Sequence, residues 1–136
     1  MSSQGSSTKR KPRNTADLAR RRILIVEDSP VVGPFTADLL QELGCIAIGP
    51  APNLAIGRQL IESEQIDAAL VDVHIRGERV FPLCDALAAK NVPFVLTSGY
   101  ADWNMPEKWQ DRPRLQKPYT LGEVEKALKT VLGASA

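Results

Sequence analysis

The run Ile23-Leu24-Ile25-Val26-Glu27-Asp28 decides how this chain folds. Four successive large aliphatic residues leave no polar face, so the segment reads as a strand covered on both sides, as in a parallel sheet packed between helices. It then breaks off into two carboxylates. The pattern recurs three times: Ala68-Ala69-Leu70-Val71 stops at Asp72, Pro93-Phe94-Val95-Leu96 at Thr97-Ser98, and the short run Arg114-Leu115-Gln116 at Lys117. The carboxyl ends of strands in an open parallel sheet line one edge, where such folds place their sites. Residues as distant in sequence as Glu27 and Lys117 are therefore expected to meet.

Between these runs the apolar period changes to that of helices. Ser29 is the expected N-cap of a first helix, with Pro30 at its first position. Val32, Phe35, Leu39, Leu40 and Leu43 form its apolar face, and Gly44 marks its stop. Cys45–Ile48 reads as a further strand. A second helix over 53–64 carries Leu54, Ile56, Leu60 and Ile61 on its buried face. A loop holding Gly77 precedes a helix over 79–90. Thr120, with Glu123 three residues on, forms a capping box. It opens a last helix whose stripe is Leu121, Val124, Leu128, Val131 and Leu132. Residues 100–111, with Trp103, Met105, Pro106 and Trp109, lack helical regularity and predict a short or irregular element. Five strands alternating with helices imply right-handed crossovers and an α/β, doubly wound, five-stranded parallel sheet.

The length of 136 residues fits one domain. The formal net charge of +1 hides an asymmetry. Residues 1–22 hold Lys9, Arg10, Lys11, Arg13, Arg20, Arg21 and Arg22 against the single acid Asp17, while the remainder is net acidic. Residues 1–21 therefore read as a disordered basic leader, too poor in large apolar residues to fold alone. The folded domain is expected over 22–133, with a tail at 134–136. Cys45 and Cys84 lack metal-type spacing and read as buried free thiols in a reducing compartment. No apolar run approaches bilayer length and no secretory signal is present. The expected location is the cytoplasm, with no membrane partner.

Three carboxylates, a hydroxyl and one ammonium at a single edge suit a divalent cation and a phosphoryl group. Hard cations such as Mg²⁺ (or Mn²⁺) take oxygen ligands and keep several waters. Asp28 and Asp72 are the best ligands, with Glu27 acting directly or through water. A carboxylate at Asp72 can attack phosphorus and form an acyl phosphate. Lys117 would offset the charge, and Thr97 would hydrogen-bond the arriving phosphoryl group. His74, the only histidine, lacks the partners of a zinc site and is expected to contribute its backbone carbonyl or to tune access. Each piece alone has a bland reading as a solvated turn or strand exit; their joint occurrence carries the inference.

At these residues the chain resembles the receiver domain of two-component response regulators, from about Arg22 to Leu132. Ile23–Asp28 is similar to the first strand and acidic pair, and Ala69-Leu70-Val71-Asp72-Val73 to the third strand with its phosphoacceptor. Val95-Leu96-Thr97-Ser98-Gly99-Tyr100 is similar to the fourth strand with its switch hydroxyl, and Gln116-Lys117-Pro118-Tyr119 to the lysine followed by a proline whose peptide bond is usually cis. The resemblance implies strand order 2-1-3-4-5 and Mg²⁺ held by Asp28, Asp72 and the carbonyl of His74. It also implies phosphorylation of Asp72 by a sensor histidine kinase or phosphotransfer protein, and a downstream protein target or a homodimer as output. Two features depart from the family. Arg114 stands where an aromatic switch residue is usual, with Tyr100 as its candidate replacement. The loop Thr97–Tyr100 and the irregular stretch after it resemble a subgroup of single-domain receivers with a degenerate fourth helix. No output domain is expected after the last helix.

The expected function is thus a stand-alone phosphoacceptor that signals by protein binding or drains phosphate from a kinase. It would be no enzyme beyond its own Mg²⁺-dependent phosphorylation and dephosphorylation. A nucleic-acid-binding regulator acting through the basic leader is the alternative, weaker because basic runs are usually solvated tails and no DNA-reading motif accompanies this one. A phosphate-ester hydrolase would need a second acid two residues after Asp72, where His74 stands.

Overall fold

A computed structural model describes residues 17–99 and 104–134. Strand β1 (Arg22–Val26) leads to helix α1 (Val32–Glu42), then β2 (Ile46–Ala51) and α2 (Leu54–Ser63). Next come β3 (Ala68–Asp72), the two-residue strands β4 (His74–Ile75) and β5 (Glu78–Arg79), and α3 (Phe81–Ala89). The chain continues through β6 (Phe94–Ser98), a 3₁₀ turn (Glu107–Trp109), β7 (Arg114–Gln116) and α4 (Leu121–Ala134). The main sheet is parallel in the order β2-β1-β3-β6-β7. With the small hairpin β4–β5 set aside, this is the expected 2-1-3-4-5 arrangement.

The unbroken apolar runs are buried because each strand feeds two cores. Ile23 and Ile25 point to one side, with Leu39 and Leu40 of α1 and Val124 and Leu128 of α4. Leu24 and Val26 point to the other, with Ile61 of α2 and Leu83 and Leu87 of α3. Trp109 belongs to this second core: it packs edge-on against Phe94 at a centroid distance of 5.3 Å, and the Arg112 guanidinium lies over both rings. Both cysteines are buried and free. Burial pushes the Cys84 thiol up to about 12, so it stays protonated and inert at neutral pH. No helix among the described residues is long and apolar enough to cross a membrane.

The helix ends follow their sequence signals. Asn53 Oδ1 accepts from Ile56 N at 2.8 Å. In the capping box, Glu123 Oε1 accepts from Thr120 N at 2.9 Å and Thr120 Oγ1 from Glu123 N at 3.1 Å. Gly44 takes φ +85°, suited to a helix stop. At α1 the start is later than expected: the helix begins at Val32 after Val31, which makes no side-chain cap bond, and Pro30 lies in the preceding turn, where Ser29 Oγ accepts from both Val31 N and Val32 N.

Four expectations need correction. Phe35, assigned to the apolar face of α1, is 46% exposed, and Thr36 is the buried residue beside it. Ile56 of α2 is exposed as well. The second strand runs on from Ile46 to Ala51 rather than ending at Ile48. The ordered chain also starts before Arg22. Leu18 is 6% exposed within the α1–α4 core, its carbonyl accepts from Cys45 Sγ, and Arg20 N donates to Gly44 O at 2.7 Å. The rest of the expected leader, residues 1–16, lies outside the described residues.

Gly49 is the tightest backbone position near the site. It has φ +96°, and a Cβ there would sit 2.8 Å from Ala51 N and 2.9 Å from Ile25 O, both backbone atoms that cannot rotate away. Gly49→Ala is therefore expected to lower the unfolding free energy by about 2 kcal/mol or more, measured by urea denaturation. Gly122→Ala, where a Cβ meets nothing within 4 Å, should not destabilise.

Candidate functional site

Parallel register assembles the site. Val26 pairs with Val71, Asp72 with Thr97, and Ser98 with Gln116, so Glu27, Asp72, Thr97 and Lys117 all arrive at one sheet edge. Carboxylate oxygens of Glu27, Asp28 and Asp72 lie within 4.8 Å of one another. These three, with Ser29, His74, Arg76, Gly77 and Lys117, line a cleft of about 370 Å³. Thr97 is buried on the strand beside Asp72 and is not part of the cleft wall. Arg114 is exposed on β7, its guanidinium donating to Gln110 O at 2.8 Å. Tyr100 and Trp103 lie outside the described residues.

Each carboxylate accepts at least one hydrogen bond, and Glu27 and Asp72 accept on both oxygens. Lys117 Nζ donates to Glu27 Oε1 at 3.0 Å and to Asp72 Oδ2 at 2.7 Å. The other Asp72 oxygen accepts from His74 N at 3.1 Å, and the other Glu27 oxygen from Ser29 N at 3.1 Å. Asp28 Oδ2 accepts from Arg76 N at 2.7 Å. Lys117 is itself fixed through its backbone N, which donates to Ser98 O at 2.9 Å.

Arg76 was not singled out in the sequence. It reaches Asp28 because His74–Ile75 and Glu78–Arg79 pair as an antiparallel hairpin around Arg76-Gly77. Both turn residues have positive φ, +53° and +80°, the requirement of a type I′ turn. The Arg-Gly pair that begins four residues after Asp72 was the available signal. It was weak, because two-residue strands show no periodicity.

Burial raises the pKa of Glu27, with the Lys117 hydrogen bond opposing and the Asp72 charge adding to it. Lys117 loses by burial, but its hydrogen bonds to Asp72 and Glu27 outweigh that and raise its pKa. An ionised carboxylate whose folded pKa lies above its unfolded one costs stability at higher pH, and the cost is relieved as pH falls through the folded value. A raised lysine contributes stability that is complete below its unfolded pKa and is lost as pH rises through the folded one.

The donor set is all oxygen, with no sulfur or imidazole cluster among the described residues. It fits a hard divalent cation that retains waters.

No family model matches the sequence. The solution structure of SdrG from Sphingomonas melonis Fr1 is 39% identical and superposes with a TM-score of 0.76, covering 83% of this chain and 97% of that one. A structure of SdrG in its BeF3-activated conformation gives a TM-score of 0.72 at the same identity, covering 84% and 98%. The receiver domain of the sensor histidine kinase PA1611 from Pseudomonas aeruginosa PAO1, crystallised with magnesium in its active-site cleft, shares the fold at 22% identity, with a TM-score of 0.73 and coverage of 85% and 99%. In sequence, the chain is 25% identical over 123 residues to the transcriptional regulatory protein PdtaR of Mycobacterium tuberculosis, covering 87% of this chain. It spans 60% of the length of that curated relative. The chain belongs to the response regulator receiver family of two-component signalling proteins.

Removing the ammonium should expose the cost of the acidic cluster. In metal-free buffer at neutral pH, Lys117→Met is expected to destabilise the fold by on the order of 3 kcal/mol. The deficit should shrink as pH falls and Glu27 takes up its proton. Denaturation of both proteins across pH 5 to 8 measures this; a deficit that grows on acidification contradicts the electrostatic account.

Proposed function

We propose that this receiver accepts a phosphoryl group on Asp72 in a Mg²⁺-dependent reaction. The donor is a sensor histidine kinase or phosphotransfer protein. The output is binding to a protein target or draining of phosphate from the kinase. The observation that carries the reading is the setting of Asp72: a buried carboxylate opening on a cleft, with an ammonium 2.7 Å from one oxygen and a backbone N–H on the other, beside two further carboxylates.

In the transfer, an Asp72 oxygen forms a bond to phosphorus as the phosphorus–nitrogen bond of the donor phosphohistidine breaks, and the imidazole leaves with the bonding pair. Asp28 and Asp72, with Glu27 directly or through water and the carbonyl of His74, would hold the cation. When bound, Mg²⁺ supplies charge neutralisation at the phosphoryl oxygens. Lys117 begins between Glu27 and Asp72 and offsets the charge that arrives, an electrostatic role set by position. Thr97, beside Asp72 in register, is the hydroxyl that answers the new charge and draws the chain after it. Its neighbour on β7, Leu115, is flanked by the exposed Arg114, so the response travels through the segment after Gly99 rather than through a ring on β7. The protein turns over no other substrate, and it works in the cytoplasm. The 39% identity to SdrG, a protein with a BeF3-activated conformation, supports an acyl-phosphate state.

Incubation with a phosphorylated donor and Mg²⁺ should give an acid-labile phosphoprotein that Asp72→Asn abolishes, while Asp28→Asn needs about tenfold or more Mg²⁺. Intact labelling of Asp72→Asn would overturn the assignment. Beryllofluoride with Mg²⁺ should also change tryptophan fluorescence, since Trp103 and Trp109 follow the Thr97 loop.

A further inference from the structure

The side chain of Tyr119 reaches across the fold to α1. Its hydroxyl lies 2.6 Å from Thr36 Oγ1, a buried contact between residues 83 positions apart. Either oxygen could donate in isolation, but Thr36 Oγ1 also lies 2.8 Å from Val32 O, to which it gives its single proton. Tyr119 is therefore the donor and Thr36 the acceptor. Burial raises the Tyr119 pKa, so the phenol keeps that proton at neutral pH. Thr36 is fully buried and Tyr119 5% exposed, so water does not compete for the bond.

The bond joins the two chain segments that must be in register for the site to work. Tyr119 is two residues after Lys117. Thr36 follows the Ser29–Val32 turn that carries the chain away from Glu27 and Asp28. Packing alone does not fix the lysine loop on its outer side. There Lys117, Pro118 and Tyr119 line an apolar pocket of about 270 Å³ with Val32 and Phe35. The loop has space to shift, and the Tyr119 hydroxyl spans to the helix.

We infer that Tyr119 and Thr36 are positioning residues whose hydrogen bond holds Lys117 at the distance from Glu27 and Asp72 that phosphoryl transfer requires. This rests on the phosphoacceptor reading for its kinetic consequence, but not for its geometry. Tyr119→Phe removes only the donor and Thr36→Val only the acceptor. Thr36→Ser keeps the acceptor and should rescue.

Two measurements test the inference: the rate of Mg²⁺-dependent phosphorylation by acetyl phosphate, and the Lys117 Nζ resonance in proton–nitrogen NMR spectra. Tyr119→Phe and Thr36→Val are each expected to slow phosphorylation by about three- to tenfold, to leave Mg²⁺ affinity within about twofold, and to move the Lys117 resonance. The double variant should be no slower than either single one, and Thr36→Ser should match the unaltered chain in both readouts. In a Lys117→Ala background, Tyr119→Phe should slow nothing further. An unmoved Lys117 resonance in Tyr119→Phe overturns the inference, as does equal slowing with and without Lys117. If the unaltered chain takes no phosphoryl group, the phosphoacceptor reading fails, and the resonance alone decides the positioning role.

Discussion

Lys117 Nζ, wedged 3.0 Å from Glu27 and 2.7 Å from Asp72, is the interaction on which the sheet edge depends. Parallel register delivers Glu27 and Asp72 to one edge whether or not they repel. Two buried carboxylates this close repel one another. The ammonium offsets that repulsion by bridging both side chains, and carboxylate oxygens gathered at one edge are what a hard cation and an electrophilic phosphorus need. The backbone donors on the remaining oxygens, from Ser29, His74 and Arg76, complete the arrangement. Ser29 follows β1 directly, and His74 and Arg76 belong to the β4–β5 hairpin that follows β3, so short segments next to the carboxylates supply the N–H groups that orient them.

That arrangement makes the edge a charge balance poised for one more member. Lys117 is shared between two carboxylates. A phosphoryl group on Asp72 would add negative charge where the ammonium already sits, and Thr97, in register with Asp72, is the nearest buried hydroxyl on the adjacent strand.

Much of this was legible in the sequence because the relevant signals are local. A run such as Ile23–Val26, apolar on both faces and stopped by acid, names a central parallel strand and its exit residue together. Thr120 announces its helix by chemistry that acts within three residues. The failures share the opposite character. Phe35 was placed on the buried face of α1 by its apolarity, yet Thr36 occupies that place because Tyr119, remote in sequence, offers it a partner. Leu18 was averaged into a basic leader because composition weighs a window and not one residue. Its pocket exists only once Cys45 and Leu40 are in position. The Arg76-Gly77 hairpin was missed because strands of two residues leave no period to read.

The question of what reads the site turns on which ring is available. β7 presents Arg114 outward to Gln110 O, so no aromatic side chain on that strand can follow Thr97 inward at that position. The aromatic mass on this side of the sheet is instead Trp109 against Phe94, clamped by Arg112. Phe94 begins the strand that ends at Thr97 and Ser98, and Trp109 closes the stretch that begins just after them. Trp109 is thereby fixed in the core that Phe94 and Leu96 share.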